Sequence, residues 1–209
     1  MAERVRRARG DRTRARLLAA ALEEFDQRGF AGASTRHIAE RVGISPSALY
    51  AHHRSKEDLL FLLAEEAIGL ALRDVQRALT VQPDPARQLA EFVRLYVIRY
   101  TEDPQSARVV ARELDALSPE HRAEVTAVRK VTTGLVRAIL ERGVEIGDFH
   151  ITSVDIATTA LFSLSLDVTR WWSPDGTWAP EELGQQYSLM ALRMVGVRPD
   201  LIDEIIAIP

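Results

Sequence analysis

The chain has 209 residues, of which 46% are hydrophobic and 27% charged, and it contains no cysteine. This balance is typical of a globular protein of one or two domains, and the missing thiols exclude disulfides, thiolate metal sites and a cysteine nucleophile. The N-terminus lacks the apolar stretch of a secretory signal, and the most apolar later run, over residues 156–168, is too short and too rich in Ser and Thr to span a bilayer. We therefore expect a cytoplasmic protein without a membrane partner.

The net charge of −3 conceals two regions of opposite sign. Residues 1–56 carry twelve Arg and Lys against six Asp and Glu, whereas residues 57–209 carry fifteen against 24. This asymmetry predicts two parts with different partners, of which the basic part suits nucleic acid. The alternative is that the basic end is only a solvated tail.

Helical spacing of apolar residues runs through nearly the whole chain, and no alternation is long enough to indicate a sheet. A capping residue followed by proline marks several helix starts: Ser45–Pro46, Asp84–Pro85, Asp103–Pro104 and Ser118–Pro119. Two further starts resemble capping boxes: Ser55 with Asp58, and Thr152 with Asp155. We predict an all-α fold of about nine helices, over residues 12–28, 35–42, 46–53, 56–80, 85–101, 104–116, 119–142, 153–172 and 180–195.

Two of these helices, 35–42 and 46–53, have the spacing of a helix-turn-helix. Gly43 permits the positive φ that the sharp turn between them requires. The residues predicted to pack against the first helix are Ile38, Ala39, Val42, Ile44 and Leu49. The outward side of the second helix has short and polar side chains that suit a DNA major groove about 12 Å wide, and it consists of Pro46, Ser47, Ala48, Tyr50, Ala51 and His52.

Cations and helix ends around this motif predict phosphate contacts. Thr35 and Arg36 open the first of the two helices, where free amides and the helix dipole attract an anion. Lys56 is expected to be a second phosphate contact. Upstream, seven arginines predict a flexible basic arm that follows the DNA backbone: Arg4, Arg6, Arg7, Arg9, Arg12, Arg14 and Arg16.

The segment RLLAAALEEFDQRGFAGASTRHIAERVGISPSALYAHHRSKEDLL resembles the tetracycline-repressor (TetR) family, with a match over residues 14–63. The resemblance implies an all-helical homodimer, with a DNA-binding domain over residues 1–55 and a ligand-binding and dimerisation domain over residues 56–209. The residues that match the family's DNA contacts are Thr35, Arg36, Pro46, Ser47, Ala48, Tyr50, His52 and Lys56, to which we add Ser45 at the start of the second helix.

His53 departs from the family pattern, which usually has Phe at this position. We predict a partly buried, hydrogen-bonded histidine here and not a base-reading one. Its protonation would then loosen the DNA-binding head, which is a hypothesis that pH-independent operator affinity would exclude. Adjacent side chains on a helix point about 100° apart, so the pair of His52 and His53 is a weak metal candidate and no metal site is predicted.

The C-terminal half carries apolar stripes on the predicted helices 119–142 and 180–195, which indicate core or dimer contacts. The helix over residues 153–172 is apolar nearly all round, with small residues that allow close contact. We expect the helices 153–172 and 180–195 to form a homodimer interface as a four-helix arrangement.

The segment RWWSPDGTWAPEEL, residues 170–183, resembles TetR-type regulators whose effectors are acyl-coenzyme A thioesters. Such an effector needs an apolar slot and cations for its phosphates. The candidate pocket residues are Phe92, Leu95, Tyr96, Val109, Leu135 and Trp171, with the cations Arg99, Arg108, Arg112 and Arg170. The alternatives are core positions for the apolar residues, and surface ion pairs with Glu102, Glu113 and Asp167 for the arginines.

These patterns predict a ligand-responsive transcriptional regulator, namely a repressor released from a palindromic operator by a small hydrophobic effector, with an acyl-coenzyme A thioester as one candidate. The alternative is a helical ligand-binding or scaffold protein without DNA binding. An enzyme is disfavoured because the sequence has no phosphate loop, nucleophile elbow or zinc-protease motif. No catalytic residue and no cofactor is predicted.

Overall fold

The computed structural model describes residues 2–50, 53, 55–82 and 84–206, with side chains from residue 12 onward. Ten α-helices and no strand occur in this part of the chain, which confirms the all-α prediction. The helices are α1 (Ala2–Gly32), α2 (Thr35–Val42), α3 (Pro46–Tyr50), α4 (Lys56–Val81), α5 (Pro85–Glu102), α6 (Pro104–Glu113), α7 (Pro119–Glu145), α8 (Val154–Trp171), α9 (Pro180–Met194) and α10 (Pro199–Ile206). A short 3-10 turn over Leu114–Ala116 lies between α6 and α7.

Side-chain caps begin the helices much as the sequence predicts. Ser45 accepts from the amide of Ala48 at 3.1 Å, and Asp84 accepts from that of Arg87 at 2.9 Å. Ser55 and Asp58 form the reciprocal box expected at the start of α4, with distances of 3.2 and 3.1 Å. These caps satisfy amides that have no partner within their own helices.

Three predictions about helix bounds are wrong. The Arg-rich arm is not flexible but belongs to α1, which begins at Ala2 because Ala, Arg and Glu dominate this stretch and favour a helix. α8 is capped by Ser153, whose Oγ accepts from Ile156 N at 3.4 Å, and not by Thr152. Helix α10 lies beyond the last predicted helix, with Pro199 at its first position.

The chain divides into two compact units. The first comprises Met1–Ala67 and Arg108–Val125, and the second comprises Ile68–Ala107 and Thr126–Pro209. The first unit therefore contains the expected DNA-binding domain together with the end of α6 and the start of α7, while the boundary at residue 55 stays a prediction.

The core of the first unit joins α1, α2 and α3. The fully buried side chains are Leu17, Ala21, Phe25, Ile38, Ala39 and Leu49, and the start of α4 adds Leu59 and Leu60. Val42 is 5% exposed and Ile44 is half-buried, so the apolar side predicted for the helix-turn-helix does face the core. Burial of such side chains stabilises the unit by about 1.5–3 kcal/mol each.

The second unit is built around α5, which packs against α8 and α9. Ser188 on α9 donates to the carbonyl of Ala90 at 2.7 Å, and a Cβ at Gly184 would lie 3.1 Å from the Arg94 carbonyl, so the two helices approach closely. None of the described helices combines the length and apolar character that crossing a lipid bilayer requires.

Candidate nucleic-acid interface and effector pocket

The turn between α2 and α3 has the geometry that the sequence predicts. Gly43 adopts φ 73° and ψ 34° at the end of α2, and its amide is bonded to the carbonyl of Glu40 at 3.1 Å. This left-handed conformation is one that residues other than Gly rarely adopt. The turn therefore redirects the chain from α2 into α3 over three residues.

Helix α3 presents one buried and one exposed side. Leu49 is fully buried, whereas Tyr50 is 52% exposed. Ser45, Pro46 and Ser47 are also exposed, while Ala48 is half-buried. Ala51 and His52 lie outside the described residues. The described residues on the side of α3 that is predicted to contact DNA are thus accessible to solvent.

Two hydroxyl pairs fix polar groups on this face. Thr35 Oγ1 lies 3.0 Å from Tyr50 Oη and so links the first residue of α2 with the last residue of α3. Ser45 Oγ and Ser47 Oγ lie 2.9 Å apart. A hydroxyl can donate one hydrogen bond and accept others, so each pair keeps the capacity to bind a base edge or phosphate.

The start of α2 is suited to a phosphate. Ser34 Oγ accepts from the Arg36 amide at 3.2 Å, and the Arg36 side chain is 77% exposed while its Nε donates to Glu40 at 2.9 Å. An exposed ion pair of this kind is weak, so the guanidinium can exchange Glu40 for an anion. The predicted role of Arg36 agrees with this geometry.

Lys56 contacts the end of α1 in the structure without DNA. Its Nζ donates to the carbonyls of Phe30, Ala31 and Ala33 at 2.6, 3.3 and 3.1 Å. An ammonium group has three donors, and these three acceptors engage all of them. The phosphate contact of Lys56 stays a prediction.

His53 is 7% exposed, which confirms its predicted burial, and its amide donates to the Leu49 carbonyl at 2.9 Å. Its position prolongs the buried side of α3 beyond Leu49. A base-reading role is incompatible with this burial.

A buried carboxylate ties α1 to α2 behind the DNA-binding face. Glu24 is 1% exposed and lies 3.0 Å from His37 Nδ1, 3.2 Å from Arg28 and 3.6 Å from Arg41. Burial by itself would raise the pKa of Glu24, but the hydrogen bond with His37 and the charges of Arg28 and His37 lower it. Residue spacing did not predict this network, because the sequence around Glu24 is typical of a solvent-exposed, charged helix face.

His121 links the start of α7 with that of α4. Its Nδ1 lies 2.8 Å from Glu57 Oε1, its ring stacks on Phe61 at 3.9 Å, and the hydrogen bond to Glu57 raises its pKa. Ligand atoms of Glu57, Asp58 and His121 lie within 4.8 Å of one another, as a metal site requires. However, Glu57 accepts from Ser118 N and Asp58 accepts from Ser55 N, so these groups already serve the helix starts.

Two of the apolar pocket candidates, Phe92 and Tyr96, belong to an aromatic cluster on α5 and α8. Phe92 and Tyr96 stack with ring centroids 5.2 Å apart, and Phe162 meets both rings edge-on. Tyr100 donates to Tyr96 Oη at 2.6 Å, and burial raises the pKa of both phenols. Leu95 and Leu135 are half-buried. The core alternative therefore describes Phe92 and Tyr96, which are 1% and 8% exposed.

The four arginines of the predicted pocket are all engaged in ion pairs. Arg99 pairs with Asp74, Arg108 with Asp26 at 3.6 Å, Arg112 with Glu113 at 2.6 Å and Arg170 with Asp167 at 3.5 Å. Arg108, Val109 and Arg112 belong to the first unit, whereas the other candidates belong to the second. The ion-pair alternative thus describes these arginines better than a shared phosphate site does.

A basic groove that the sequence did not predict lies on the exposed side of α7. It encloses about 360 Å³ and is lined by Thr126, Arg129, Lys130, Thr133, Gly134 and Arg137. In the sequence, cations recur on one face of this helix, but such a pattern is also common on solvent-exposed helices and does not by itself predict a groove.

The tryptophan-rich segment after α8 folds into a turn. Trp172 Nε1 donates to the Trp178 carbonyl at 3.0 Å, while Trp171 and Trp178 are 48% and 45% exposed. Trp171 therefore lies at the surface of the unit and not inside a cavity.

Comparisons with known proteins agree with this architecture. Residues 17–63 match the family described as bacterial regulatory proteins, tetR family, and residues 82–195 match the tetracyclin repressor-like C-terminal domain. A curated relative, the HTH-type transcriptional activator FasR of Mycolicibacterium smegmatis, is 28% identical over 164 residues, which are 78% of this chain and 73% of FasR.

Solved structures show the same fold. A tetR-family regulatory protein from Rhodococcus RHA1 is 35% identical, with a TM-score of 0.83 over 89% of this chain and 98% of that one. AibR in complex with isovaleryl coenzyme A and operator DNA is 20% identical, with a TM-score of 0.78 over 89% of this chain and 100% of AibR. These matches agree with the exposed side of α3 and with the buried core that α1, α2 and α3 share. They show that the chain is a DNA-binding transcriptional regulator that belongs to the TetR family.

Proposed function

We propose that the protein is a homodimeric repressor that places α3 of each subunit in the major groove of a palindromic operator. The observation that carries this proposal is the exposed side of α3, opposite the buried Leu49. Five residues before α4 share that accessible surface with Arg36 and Thr35: Ser45, Pro46, Ser47, Ala48 and Tyr50. His52 is proposed from the sequence alone.

The proposed contacts divide into phosphate and base contacts. Arg36 and the amides at the start of α2 bind phosphate and fix the register of the head on the duplex. Ser47 and Tyr50 contact base edges or nearby phosphates, while the small side chains of Pro46 and Ala48 let the helix approach the groove floor. Arg12 and Arg14, exposed on α1, add electrostatic attraction.

The dimer is proposed to form through α8 and α9. Ile156, Leu164 and Trp171 are 72%, 44% and 48% exposed, and their spacing places them along one side of α8. Met190 on α9 is 49% exposed, although Leu183 and Leu192 of the same helix are buried. Exposed apolar side chains on both helices support an interface between two copies.

The effector is proposed to be a small hydrophobic molecule, with acyl-coenzyme A thioesters as the first class to test. Support comes from the sequence of residues 170–183 and from the isovaleryl coenzyme A bound by AibR, which has this fold. An effector that prefers a head spacing unsuited to the operator would lower DNA affinity by population shift.

The test is a DNA-binding assay on an operator recovered by in vitro selection from genomic fragments. We expect a steep negative slope of log affinity on log salt, because phosphate contacts release counterions. Acyl-coenzyme A is expected to weaken operator binding by about 5- to 150-fold. Binding without salt dependence would contradict the proposed phosphate contacts, and unchanged binding with the thioester would remove that effector class.

A reporter gene under the selected operator tests the sign of regulation. Repression predicts higher expression when the regulator gene is deleted. Lower expression on deletion would instead make this protein an activator, which is what the name of FasR says of that relative.

A further inference from the structure

The basic groove on α7 is a cationic surface in a part of the chain that is otherwise acidic. Residues 125–140 include three cations and no Asp or Glu, although residues 57–209 carry 24 acidic residues against fifteen basic ones. The two threonines that line the groove share a helical face with these cations, because the lining positions recur every three or four residues. The groove therefore gathers positive charge and hydroxyl groups on one side of the helix.

Two of the three cations are available to an anion. Arg137 is engaged, since its Nε donates to Glu141 at 2.7 Å and the guanidinium also pairs with Asp155. Arg129 and Lys130 are exposed, and neither forms an ion pair with a carboxylate in the described part of the chain. These two charges match the charge of about −1.5 to −2 that a phosphate monoester carries at pH 7.

Gly134 leaves the floor of the groove open. A Cβ built at this position would meet no other side chain or neighbouring helix within 4 Å, so packing does not explain a glycine inside this helix. Glycine is common where a ligand must approach the backbone closely. The volume of about 360 Å³ also lies within the range of about 300–1,000 Å³ that is typical of small-molecule sites.

Arg129 relates the groove to the aromatic cluster inside the same compact unit. Burial raises the pKa of Tyr96 and of Tyr100, and the positive charge of Arg129 lowers both in part. Such an effect requires the charge to lie near the phenols, which are joined by a hydrogen bond of 2.6 Å. An anion bound to Arg129 would therefore lie close to the apolar interior of the unit.

We propose that the basic groove on α7 binds the phosphate groups of the effector, as a phosphate monoester or a pyrophosphate, through Arg129 and Lys130. The guanidinium can donate two parallel hydrogen bonds to phosphate oxygens, the ammonium adds a compact charge, and the threonine hydroxyls are further donors. The inference rests on the proposed function, because it concerns the effector proposed there. It gives these two cations the role that the sequence suggested for four arginines, all of which are ion-paired.

The two lysines of the chain test the groove in the wild-type protein. Lys130 is exposed on α7, whereas Lys56 Nζ donates to carbonyls at the end of α1. With an acetylating reagent and peptide mass spectrometry, we expect saturating adenosine 3′,5′-bisphosphate to slow the reaction of Lys130 at least about fivefold and to leave that of Lys56 unchanged. Equal rates at Lys130 with and without this phosphate ester, or equal protection of both lysines, would contradict the proposal.

Isothermal titration calorimetry of the same phosphate ester with full-length variants locates its site. Arg129→Gln is expected to weaken binding about tenfold to 100-fold, because a charged hydrogen-bond donor is lost. Gly134→Leu should weaken binding at least about tenfold by filling the groove, with no loss of stability in thermal unfolding, since the side chain enters open space. The control Arg198→Gln removes an exposed cation that pairs with Asp200 and should leave affinity unchanged. Equal affinities in all three variants would overturn the assignment.

Two further probes identify the molecule that supplies the phosphate groups. If it is an acyl-coenzyme A thioester, the thioester will bind more tightly than adenosine 3′,5′-bisphosphate, and Arg129→Gln will weaken both. Inorganic pyrophosphate that binds as tightly as the thioester would indicate a smaller phosphorylated effector.

The outcomes separate this inference from the proposed function. Release of the operator by the thioester at an unchanged concentration in Arg129→Gln would overturn the groove as the phosphate site and leave the effector class standing. Binding of the bisphosphate in the groove, with no effect of the thioester on operator affinity, would remove that effector class and leave the phosphate site standing.

Discussion

The hydroxyl of Tyr50 can affect DNA binding through its hydrogen bond with the neighbouring Thr35. Tyr50 Oη and Thr35 Oγ1 lie 3.0 Å apart, and both belong to the proposed DNA-binding face. The bond can hold the Tyr50 ring in one orientation, or the hydroxyl can itself contact the duplex. These two roles differ in their energetic coupling.

A double-mutant cycle separates them. Tyr50→Phe is expected to weaken operator binding about fivefold, because a neutral hydrogen bond contributes about 1 kcal/mol. If the Tyr50 hydroxyl acts through its hydrogen bond with Thr35, combining Tyr50→Phe with Thr35→Val will cause no further loss of operator affinity beyond that of the more weakly binding single variant. Additive losses in fluorescence-anisotropy titrations would show instead that each hydroxyl contacts DNA separately.

Glu24 tests whether the buried charge network stabilises the head. Its carboxylate contacts His37, Arg28 and Arg41 while being nearly inaccessible. Glu24→Gln is expected to lower the free energy of unfolding by about 2 kcal/mol at pH 7, because the partly exposed partners His37, Arg28 and Arg41 lose their charged acceptor. The control Glu23→Gln, where the side chain is 51% exposed, should change it by less than about 0.5 kcal/mol.

The pH dependence of this effect has a definite sign. Because the hydrogen bond with His37 and the neighbouring cations outweigh burial, the pKa of Glu24 lies below its usual 4.5. Its contribution is therefore fully present above that pH and is lost as the pH falls through the lowered pKa. Urea unfolding at pH 7 and pH 3 should show the wild type and Glu24→Gln converging in acid, and a constant difference would contradict the assignment.

At the scale of elements, helix starts marked by a cap next to proline could be predicted, whereas the starts of α1 and α10 could not. The amides of Ala48, Arg87 and Ser106 find their caps at Ser45, Asp84 and Asp103, as local sequence predicts. Caps are local chemistry, within three residues, and so can be read from a single sequence. Where a helix end depends on packing partners, local sequence is not sufficient.

Helix α7 shows such a dependence on tertiary structure. It continues to Glu145, three residues beyond the prediction, and Gly143 lies inside it. A Cβ at Gly143 would lie 2.2 Å from the ring of Phe149, which is 3% exposed. The ring of Phe149, which follows the turn at the end of α7, therefore leaves no space for a side chain at position 143.

Two glycine substitutions on α7 make a matched pair. Gly143→Ala should lower the free energy of unfolding by about 1–3 kcal/mol, because Phe149 must move despite the better helix propensity of Ala. Gly134→Ala should raise it by about 0.5–1 kcal/mol, since nothing lies within 4 Å of the added Cβ. Thermal unfolding measures both, and equal effects would contradict this description of the two sites.

At the scale of the whole molecule, the sequence placed the DNA-binding face more successfully than the effector pocket. The exposed side of α3 follows from helical periodicity within one short motif. The ion pair of Arg99 with Asp74 joins residues 25 apart in the chain, and spacing alone cannot assign such a partner. The carbonyls that engage Lys56 are equally remote in the chain, so spacing cannot assign them either.

The dimer gives a prediction at this scale. Leu164→Asp places a charge on the apolar side of α8 and is expected to convert the dimer to monomers and reduce operator affinity at least about 100-fold, because two heads no longer bind together. Light scattering and gel-shift assays measure the two effects. Val131→Asp on α7, where Val131 is 52% exposed, should leave both unchanged; a dimer that survives Leu164→Asp would place the interface elsewhere.

Methylation interference on the selected operator tests the DNA-binding account most directly. Guanine N7 lies in the major groove, and the recognition helices of a dimer lie about 34 Å apart or a multiple of it. We expect N7 methylation to block binding in two symmetric half-sites at that separation, with Tyr50→Ala removing part of the pattern. Interference confined to the minor groove, or to one half-site, would contradict the placement of α3 in the groove.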